Sequence, residues 1–492
     1  MRQVSPMSVS PKSPPLVPPE GVGNLYERVA GHIQDLVEKG TLRPGERIPS
    51  VRRLSEQQGV SVSTVLQAYT VLEDRGVIEA RPQSGYYVRV QSWKPPAEPE
   101  MSRPATRATQ VTVGELVMKV MKAVRDPGLV ALGAAIPSPE LLPTRQLNRA
   151  MAALGRRSPE LGSSYDVPPG LTALRIQIAR RALDAGCALS PEEIVTTCGG
   201  MEALHLSLSA VAKPGDTIAI ESPTYFGILQ CIESLGMKAL EIPTHPRDGV
   251  SLDALAYALE HQPIAACLFV LNFNNPLGSC MPDENKRLLV EMLAEREIPL
   301  IEDDIYGDVS FSPQRPKTAK AFDKKGLVLL CDSFSKTLAP GYRVGWVAPG
   351  RFQEKVELLK TVSTIATATL PQMAIADFLA NGGYAHHLRR VQRVYSDQVN
   401  LVTEAIAKYF PEETKLTRPS GGQVLWVELP SRIDSLELFH RALTEKISIA
   451  PGPIFSAKQK FKNFIRLNCG NPWSPTVERA LKTLGRIVAT MR

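Results

Sequence analysis

The chain has 492 residues, which is too many for one ordinary core and enough for two or three domains. Hydrophobic residues make up 43% and charged residues 22%, as in soluble globular proteins, and no apolar run is long enough to cross a bilayer. The net charge is +7, but residues 24–91 carry nine Lys and Arg against eight Asp and Glu. Charge alone therefore does not indicate a nucleic-acid partner.

The cysteines and histidines restrict the chemistry further. The seven cysteines are odd in number and form no Cys-x-x-Cys pair, which predicts reduced thiols in a cytoplasmic protein. The seven histidines show no metal-ligand spacing, so no metal is expected.

Four segments follow one another along the chain. Residues 1–23 are rich in Pro and Ser and have no apolar stretch, which predicts a disordered tail rather than a signal peptide. Residues 24–91 form a compact segment, and residues 92–112 form a Pro-rich linker. Residues 113–492 alternate between strand and helix patterns, and about 390–492 is expected to be a small subdomain.

The compact segment predicts three helices and a hairpin. A first amphipathic helix covers 25–39, and Ser50 can cap a second helix that runs to Gln58. Either Ser61 or Ser63 can cap the third helix. Alternating residues at 77–80 and 86–90 then predict two strands, and the whole pattern indicates a winged helix-turn-helix.

Two runs in this segment carry a specific resemblance. Leu-Arg-Pro-Gly-Glu-Arg-Ile-Pro-Ser-Val-Arg-Arg-Leu at 42–54 and Gly-Val-Ser-Val-Ser-Thr-Val at 59–65 resemble the GntR-type winged-helix family. The resemblance implies binding to double-stranded DNA, with the third helix in the major groove. The residues expected at the DNA are Arg52, Ser61, Ser63, Thr64, Ser84 and Gly85. Val62 stands where many relatives have a basic residue, so base readout there is apolar or absent.

The rest of the chain predicts an α/β fold. Short apolar strands at 217–221, 266–272, 300–304, 327–333 and 344–348 alternate with helices such as 203–212 and 285–296. This alternation favours a mainly parallel sheet covered by helices, and ligands bind such sheets beyond the carboxyl ends of the strands. Asp303 and Lys336 both fall at the end of a predicted strand.

The run Ser-Phe-Ser-Lys-Thr-Leu-Ala-Pro-Gly-Tyr-Arg-Val-Gly-Trp at 333–346 is the most specific motif. It resembles the lysine loop of pyridoxal 5'-phosphate (PLP) enzymes of the aspartate aminotransferase fold, fold type I. The amine of Lys336 can form a Schiff base with the PLP aldehyde. Ser333, Ser335 and Arg343 can bind the cofactor phosphate.

The same resemblance assigns further roles. Asp303 would face the ring nitrogen, although its neighbour Asp304 is a rival for this role. Arg466 would clamp the α-carboxylate of a substrate. The remaining expected cofactor contacts are Tyr306 and Asn275 to the ring oxygen, Gly199, Gly200 and Met201 at the phosphate, Tyr225 as the wall against the ring, and Tyr165 at the phosphate of the partner subunit.

Together the two parts resemble the MocR branch of the GntR family. The resemblance implies a homodimeric, PLP-binding transcriptional regulator that senses an amino acid, an amine or PLP itself through the Lys336 aldimine. The alternative is an active aminotransferase with an accessory DNA-binding head. The regulator is favoured because a DNA-binding head would otherwise have no role, and turnover stays open because Gly200 and Met201 depart from the polar pattern of active relatives.

Overall fold

The structure is a computed structural model that describes residues 24–38, 41–43, 45–74, 77–81, 84–89, 95–105, 107–123, 126, 128–157, 159–160, 163–381 and 383–491. The predicted tail, 1–23, lies outside these residues. The chain divides between Lys94 and Pro95 into two compact units, the head and the body. No helix within the described residues is long and apolar enough to cross a membrane.

The head has the predicted order of elements, which are α1 (Leu25–Glu38), α2 (Val51–Gln58), α3 (Val62–Asp74), β1 (Ile78–Arg81) and β2 (Gly85–Val88). The Ser50 hydroxyl accepts the backbone N–H of Arg53 and caps α2, which ends at Gly59 in the left-handed conformation. The Ser61 hydroxyl accepts the N–H of Thr64, so Ser61 rather than Ser63 caps α3. The antiparallel β1 and β2 form the wing.

The body is built on a mixed, mostly parallel sheet. Its strands are β3 (Thr109–Gln110), β5 (Val195–Thr197), β6 (Thr217–Ser222), β7 (Lys238–His245), β8 (Gly249–Val250), β9 (Ile264–Phe269), β10 (Leu300–Asp303), β11 (Val328–Ser333) and β12 (Gly345–Ala348). Their spatial order is β3-β7-β6-β9-β10-β11-β12-β5, with β8 beside β7. The strands from β7 to β11 are parallel, whereas β12 runs antiparallel to both β11 and β5. The α/β fold is thus confirmed.

Helices cover the faces of this sheet and explain its apolar strands. Ile218 and Ile220 of β6 and Leu268 of β9 are completely buried, as expected for strands covered on both faces. The helices of the body up to residue 380 are α4 (Gly114–Ala123), α5 (Thr144–Arg157), α6 (Thr172–Ala182), α7 (Gly200–Val211), α8 (Phe226–Ser234), α9 (Leu252–His261), α10 (Asp283–Glu295), α11 (Gln353–Ser363) and α12 (Thr369–Ala380).

A second, antiparallel sheet lies in the C-terminal part of the body. It has the order β13 (Lys415–Leu416), β14 (Val424–Glu428), β17 (Phe464–Asn468) and β16 (Ala450–Pro451). The short strand β15 (Ile447–Ser448) pairs with β4 (Val130–Ala131), which ties this part to the beginning of the body. The helices here are α13 (Gly383–Tyr409), α14 (Ser435–Thr444) and α15 (Pro475–Thr490).

The segment predicted as a linker, 92–112, differs from that expectation. From Ala97 onward it packs on the body, because the Ala97 carbonyl accepts the N–H of Leu416 at 2.9 Å and the Ser102 hydroxyl donates to the Ser222 carbonyl at 2.8 Å. The strand β3 extends the central sheet beside β7. Prolines lack an N–H but leave carbonyls and neighbouring side chains free to bond, so Pro-rich composition did not prevent docking.

Candidate cofactor site

The parallel strands bring the predicted residues together at one edge of the sheet. A cavity of about 120 Å³ lies beyond the ends of β9, β10 and β11. Its lining contains most of the predicted cofactor set, namely Gly200, Met201, Tyr225, Asn275, Asp303, Tyr306, Ser333, Ser335, Lys336 and Arg343. These residues meet because parallel strands end at the same edge, as the position of Asp303 and Lys336 in the sequence predicted.

Lys336 lies at the wall of this cavity in an environment that disfavours its charge. Its Nζ donates a hydrogen bond to the Ala135 carbonyl at 2.6 Å. Burial lowers the pKa of Lys336 to about 8, and the positive charges of Arg466 and Arg343 act in the same direction against the attraction of Asp303. A neutral amine, which is the nucleophilic form, is therefore accessible near neutral pH.

The structure distinguishes Asp303 from Asp304, the two carboxylates predicted as candidates for the ring nitrogen. Asp303, the last residue of β10, lines the cavity with Lys336, and burial raises its pKa to about 7 while the N–H of Ile305 and the Lys336 charge oppose that rise. Asp304 points elsewhere, because it pairs with Arg315 and accepts the side-chain amide of Asn272 at 2.7 Å. Adjacent strand residues face opposite sides of a sheet, so only Asp303 faces the cavity.

A chain of hydrogen bonds connects the cavity to the C-terminal sheet. The Asn275 amide donates to the Tyr306 hydroxyl at 3.2 Å, and Nη1 of Arg466 donates to Asn275 Oδ1 at 3.1 Å. Nη2 of Arg466 donates to the Gly133 carbonyl, whereas its Nε is buried without a hydrogen-bond partner. A buried N–H without a hydrogen-bond partner destabilises the folded state. Arg466 is therefore suited to bind an anion, which would accept a hydrogen bond from this N–H.

The predicted phosphate residues surround the N-terminus of α7. Gly199 caps this helix with a φ of 82°, and Nη2 of Arg343 donates to the Cys198 carbonyl at 3.3 Å. Nη1 of Arg343 also lies 3.4 Å from the Ser335 hydroxyl. Backbone N–H groups at a helix N-terminus and an arginine fork together suit a phosphate.

The Gly199→Ala variant is expected to weaken PLP binding roughly tenfold or more. A Cβ at Gly199 would lie 2.3 Å from Nη2 of Arg343 and would displace the guanidinium, which is predicted to bind the phosphate, and loss of a hydrogen bond to a charged group costs about 1.5–3 kcal/mol. Gly215→Ala is the matched control, because Gly215 also has a positive φ, of 90°, but a Cβ there meets nothing within 4 Å. PLP dissociation constants and the free energy of unfolding of both variants check this, and equal losses in both would contradict it.

A second chamber adjoins the cofactor cavity. It has a volume of about 150 Å³ and shares Tyr225, Asn275 and Lys336 with the first cavity, and Arg466 also lines it. Apolar side chains complete its wall, among them Val120, Met121, Ile136, Phe226, Ile449 and Ile454. The geometry leaves space for a small molecule that reaches from Lys336 to Arg466.

Tyr165 is placed outside this site. Its side chain is 77% exposed, and it is not among the residues that line either cavity of this chain. Its role at the phosphate of a partner subunit stays a prediction.

Sequence reasoning missed the loop at residues 133–136. Gly133 and Ala135 offer their carbonyls to Arg466 and Lys336, and a Cβ at Gly133 would lie 2.7 Å from the Ile449 backbone. Because the loop acts through its backbone, its side chains carry no chemical signature. The small-residue run Gly-Ala-Ala before Pro137 was the one available sign of close backbone approach.

The predicted DNA residues lie on the surface of the head. Arg52 of α2 and Ser63 of α3 are exposed. Ser61 is exposed too, although its hydroxyl is engaged in the cap of α3. In the wing, Ser84 bonds to the Tyr87 hydroxyl at 2.6 Å, and Thr64 is half-buried.

The wing also has a basic neighbour that the motif did not indicate. The Arg47 side chain passes so close to Gly85 that a Cβ there would lie 3.3 Å from its Nε, and Arg47 pairs with Tyr87 in an isolated β-bridge. Gly85 has a φ of 110°, which favours glycine. A guanidinium therefore lies beside the wing.

The fold and the site define a DNA-binding head joined to an aminotransferase-type body, and comparisons with known proteins agree. Residues 141–484 match the family "Aminotransferase class I and II", and residues 25–88 match the family "Bacterial regulatory proteins, gntR family". The HTH-type transcriptional regulators YjiR and YdcR of Escherichia coli, both of uncharacterised function, are 41% and 40% identical to this chain. Each match covers 94% of this chain and 98% of the relative. The chain belongs to the MocR-type regulators of the GntR family, which carry an aminotransferase class I and II domain.

The matches to aminotransferases cover about three quarters of this chain. The 2-aminoadipate transaminase of Thermus thermophilus is 30% identical over 75% of this chain and 92% of its own length. The crystal structure of LysN, an α-aminoadipate aminotransferase of T. thermophilus complexed with N-(5'-phosphopyridoxyl)-L-leucine, matches with a TM-score of 0.70 at 27% identity, over 77% of this chain and 99% of that chain. Kynurenine aminotransferase of Pyrococcus horikoshii gives a TM-score of 0.71 at 27% identity, over 76% of this chain and 94% of that chain.

The cofactor of the body is PLP, and the residues present fit it. The cavity offers an amine with a lowered pKa, a buried carboxyl, hydroxyl and amide donors, and a cradle that a Cβ at Gly199 would obstruct. Bound PLP supplies an aldehyde for amines and a ring that accepts electrons.

Proposed function

We propose that the body senses an α-amino acid and passes this signal to the DNA-binding head. The observation that carries the proposal is the joint position of Lys336 and Arg466 at one chamber, with the Arg466 Nε buried and unpaired. A carboxylate on Arg466 and an amino group at the Lys336 end match the two ends of an α-amino acid. An amine without a carboxylate, or PLP itself, would engage only one of these ends.

The loop at 133–136 offers a way to register such a ligand. Without the ligand, Lys336 holds the Ala135 carbonyl and Arg466 holds the Gly133 carbonyl. The carboxylate of an amino acid draws Arg466 toward itself and leaves the Gly133 carbonyl to find another partner, while the amino group of the ligand takes the place of the Lys336 amine and frees that lysine to move. Because the ligand binds the two arrangements with different free energies, it shifts the balance between them.

The proposal also includes the assembly and the roles of the remaining residues. Asp303 holds the protonated ring nitrogen, Asn275 and Tyr306 hold the ring oxygen, and Tyr225 lies against the ring. A homodimer in the cytoplasm would place two heads on one operator, which raises specificity through half-site spacing. The exposed Tyr165 and Val167, at 77% and 58%, support a covered surface in that dimer.

A titration of the full-length, PLP-loaded protein tests the sensing function. Amino acids and amines are added one by one while visible absorption of the cofactor and affinity for DNA are measured. The expected result is that an amino acid that changes the absorption also changes the DNA affinity. A panel of the common amino acids that perturbs the absorption and leaves DNA affinity constant would contradict sensing.

A second candidate function, an active aminotransferase, is favoured by the Lys336 pKa of about 8. A lysine that gains and loses a proton near neutral pH can serve as a proton shuttle for transamination. Asp303 and Arg466 would complete a half-reaction in this case. Steady turnover of an amino acid with a 2-oxo acid, measured as product formed over many turnovers per site, distinguishes catalysis from a single binding event.

The rate at which the apo-protein binds PLP is expected to depend on pH, with a midpoint set by the pKa of Lys336. Lowering the pKa of a lysine moves its neutral, reactive form to lower pH, so the loading rate should be half-maximal at about pH 8 and should level off above that midpoint. An ordinary lysine would give a midpoint at about pH 10.4. Absorption after rapid mixing measures the rate. In Arg466→Met the midpoint should move upward, because one nearby positive charge is lost.

A further inference from the structure

Two large apolar side chains lie exposed on α3, the helix that follows the turn of the helix-turn-helix. Val62 is 46% exposed and Leu66 is 44% exposed. Residues four apart share one face of a helix, so the two form a single apolar stripe. The opposite face of α3 is packed into the head core by Val65, Ala68, Tyr69 and Leu72. The stripe therefore faces away from the core of the head.

The polar side chains beside the stripe restrict what α3 can read. The structure describes every residue of α3, and none of them is Lys or Arg. The acidic residues Glu73 and Asp74 lie in the last turn, about two helical turns beyond Leu66. The helix thus cannot make the bidentate contact of Arg or Lys to guanine, which is the commonest specific contact in the major groove. Gln67, which is exposed next to Leu66, can pair bidentately with adenine.

The major groove offers one apolar group for such a stripe. Among the base edges there, only thymine carries a methyl group. We propose that Val62 and Leu66 select A·T base pairs by contact with thymine methyl groups, with Gln67 available to adenine. The stripe is then the surface that recognises the base sequence. It takes the place of Lys or Arg contacts to bases, which α3 cannot make.

Charges on the neighbouring helix complete the surface. Arg52 and Arg53 of α2 are both exposed, and Ser63 at the start of α3 is exposed with its hydroxyl 2.8 Å from that of Ser61. Contacts of arginine and hydroxyl groups to phosphates supply affinity and orientation without sequence information. An apolar stripe beside such groups fits a DNA groove, because the phosphates that flank the groove are anionic.

Replacement of thymine by uracil tests the proposal, because it removes one methyl group and leaves base pairing unchanged. The probe is a duplex enriched from a random library by the full-length, PLP-loaded protein. Deoxyuridine at each contacted position is expected to weaken binding about fourfold, the effect of one buried methyl group. Equal binding of the thymine and the fully uracil-substituted duplex would overturn the proposal.

Variants of Val62 and Leu66 test whether these residues cause the difference in affinity between thymine and uracil duplexes. Val62→Ala and Leu66→Ala should each weaken binding to the thymine duplex and remove the uracil effect at one position. Gln67→Ala should weaken binding but keep the fourfold ratio of thymine to uracil duplexes. Leu25→Ala is the matched control, since Leu25 is equally exposed, at 46%, on α1. The proposal is wrong if both stripe variants keep the wild-type ratio of affinities for the thymine and uracil duplexes. It is also wrong if enrichment from the random library yields no position that requires an A·T pair.

Discussion

Replacing Lys336 with alanine is expected to abolish the effect of amino acids on DNA binding. The effector-free protein should keep its DNA affinity within about twofold, because the head is a separate compact unit. The reason is chemical, since Lys336 carries the amine that lines both cavities and is the residue that an incoming amino group must replace. DNA affinity is measured with and without the amino acid that changes the cofactor absorption of the wild-type protein.

The variant also has a structural cost that must be measured separately. Loss of the Lys336 amine leaves the Ala135 carbonyl without its donor, which costs about 1–3 kcal/mol when the carbonyl stays buried. Denaturant unfolding of the variant shows whether the body remains folded. Lys355→Ala is the control, because Lys355 is exposed on α11. A folded Lys336→Ala protein that responds as strongly as the wild type would rule out sensing through this lysine.

Replacing Arg466 with methionine is expected to remove the preference for amino acids over amines that lack the carboxylate. Truncation of one partner of a buried, hydrogen-bonded charge pair costs about 2–5 kcal/mol, so amino-acid affinity should fall about 30-fold or more. Binding of an amine such as the decarboxylated form of the same ligand should change less than about twofold. The cofactor absorption titration measures both affinities.

The conservative variant Arg466→Lys separates charge from geometry. Lysine keeps the positive charge but has no planar fork, so it should recover only part of the lost affinity. Arg287→Met on α10 is the control, because its side chain is 40% exposed and pairs only with surface glutamates. An equal loss of affinity for the amine and for the amino acid in Arg466→Met would show that Arg466 supports the site and does not bind the carboxylate.

Much of the fold was predictable because its signals are local. Ser50 caps the beginning of α2 and Gly59 caps its end. Apolar residues at helical spacing form the buried face of α3. The strand ends at Asp303 and Ser333 also fell within one residue of their predicted positions. Each of these features depends on neighbours in the chain, which is why one sequence suffices to predict them.

The linker shows where composition was a poor guide. Pro95, Pro96, Pro99 and Pro104 favoured an extended spacer, yet Ala97 and Ser102 bond to the body. Their partners, Leu416 and Ser222, are more than a hundred positions away. Composition describes the segment alone and contains nothing about a distant surface that receives it.

The sequence by itself determined the two-part character of this protein and the chemical types of its site residues. The head motif at 42–65 and the lysine loop at 333–346 are continuous runs, so their identity does not depend on folding. Only the tertiary structure decided that Asp303 rather than Asp304 faces the cavity, and that the carbonyls of Gly133 and Ala135 meet Arg466 and Lys336. Those decisions depend on which groups become neighbours through space when strands distant in the chain are packed side by side.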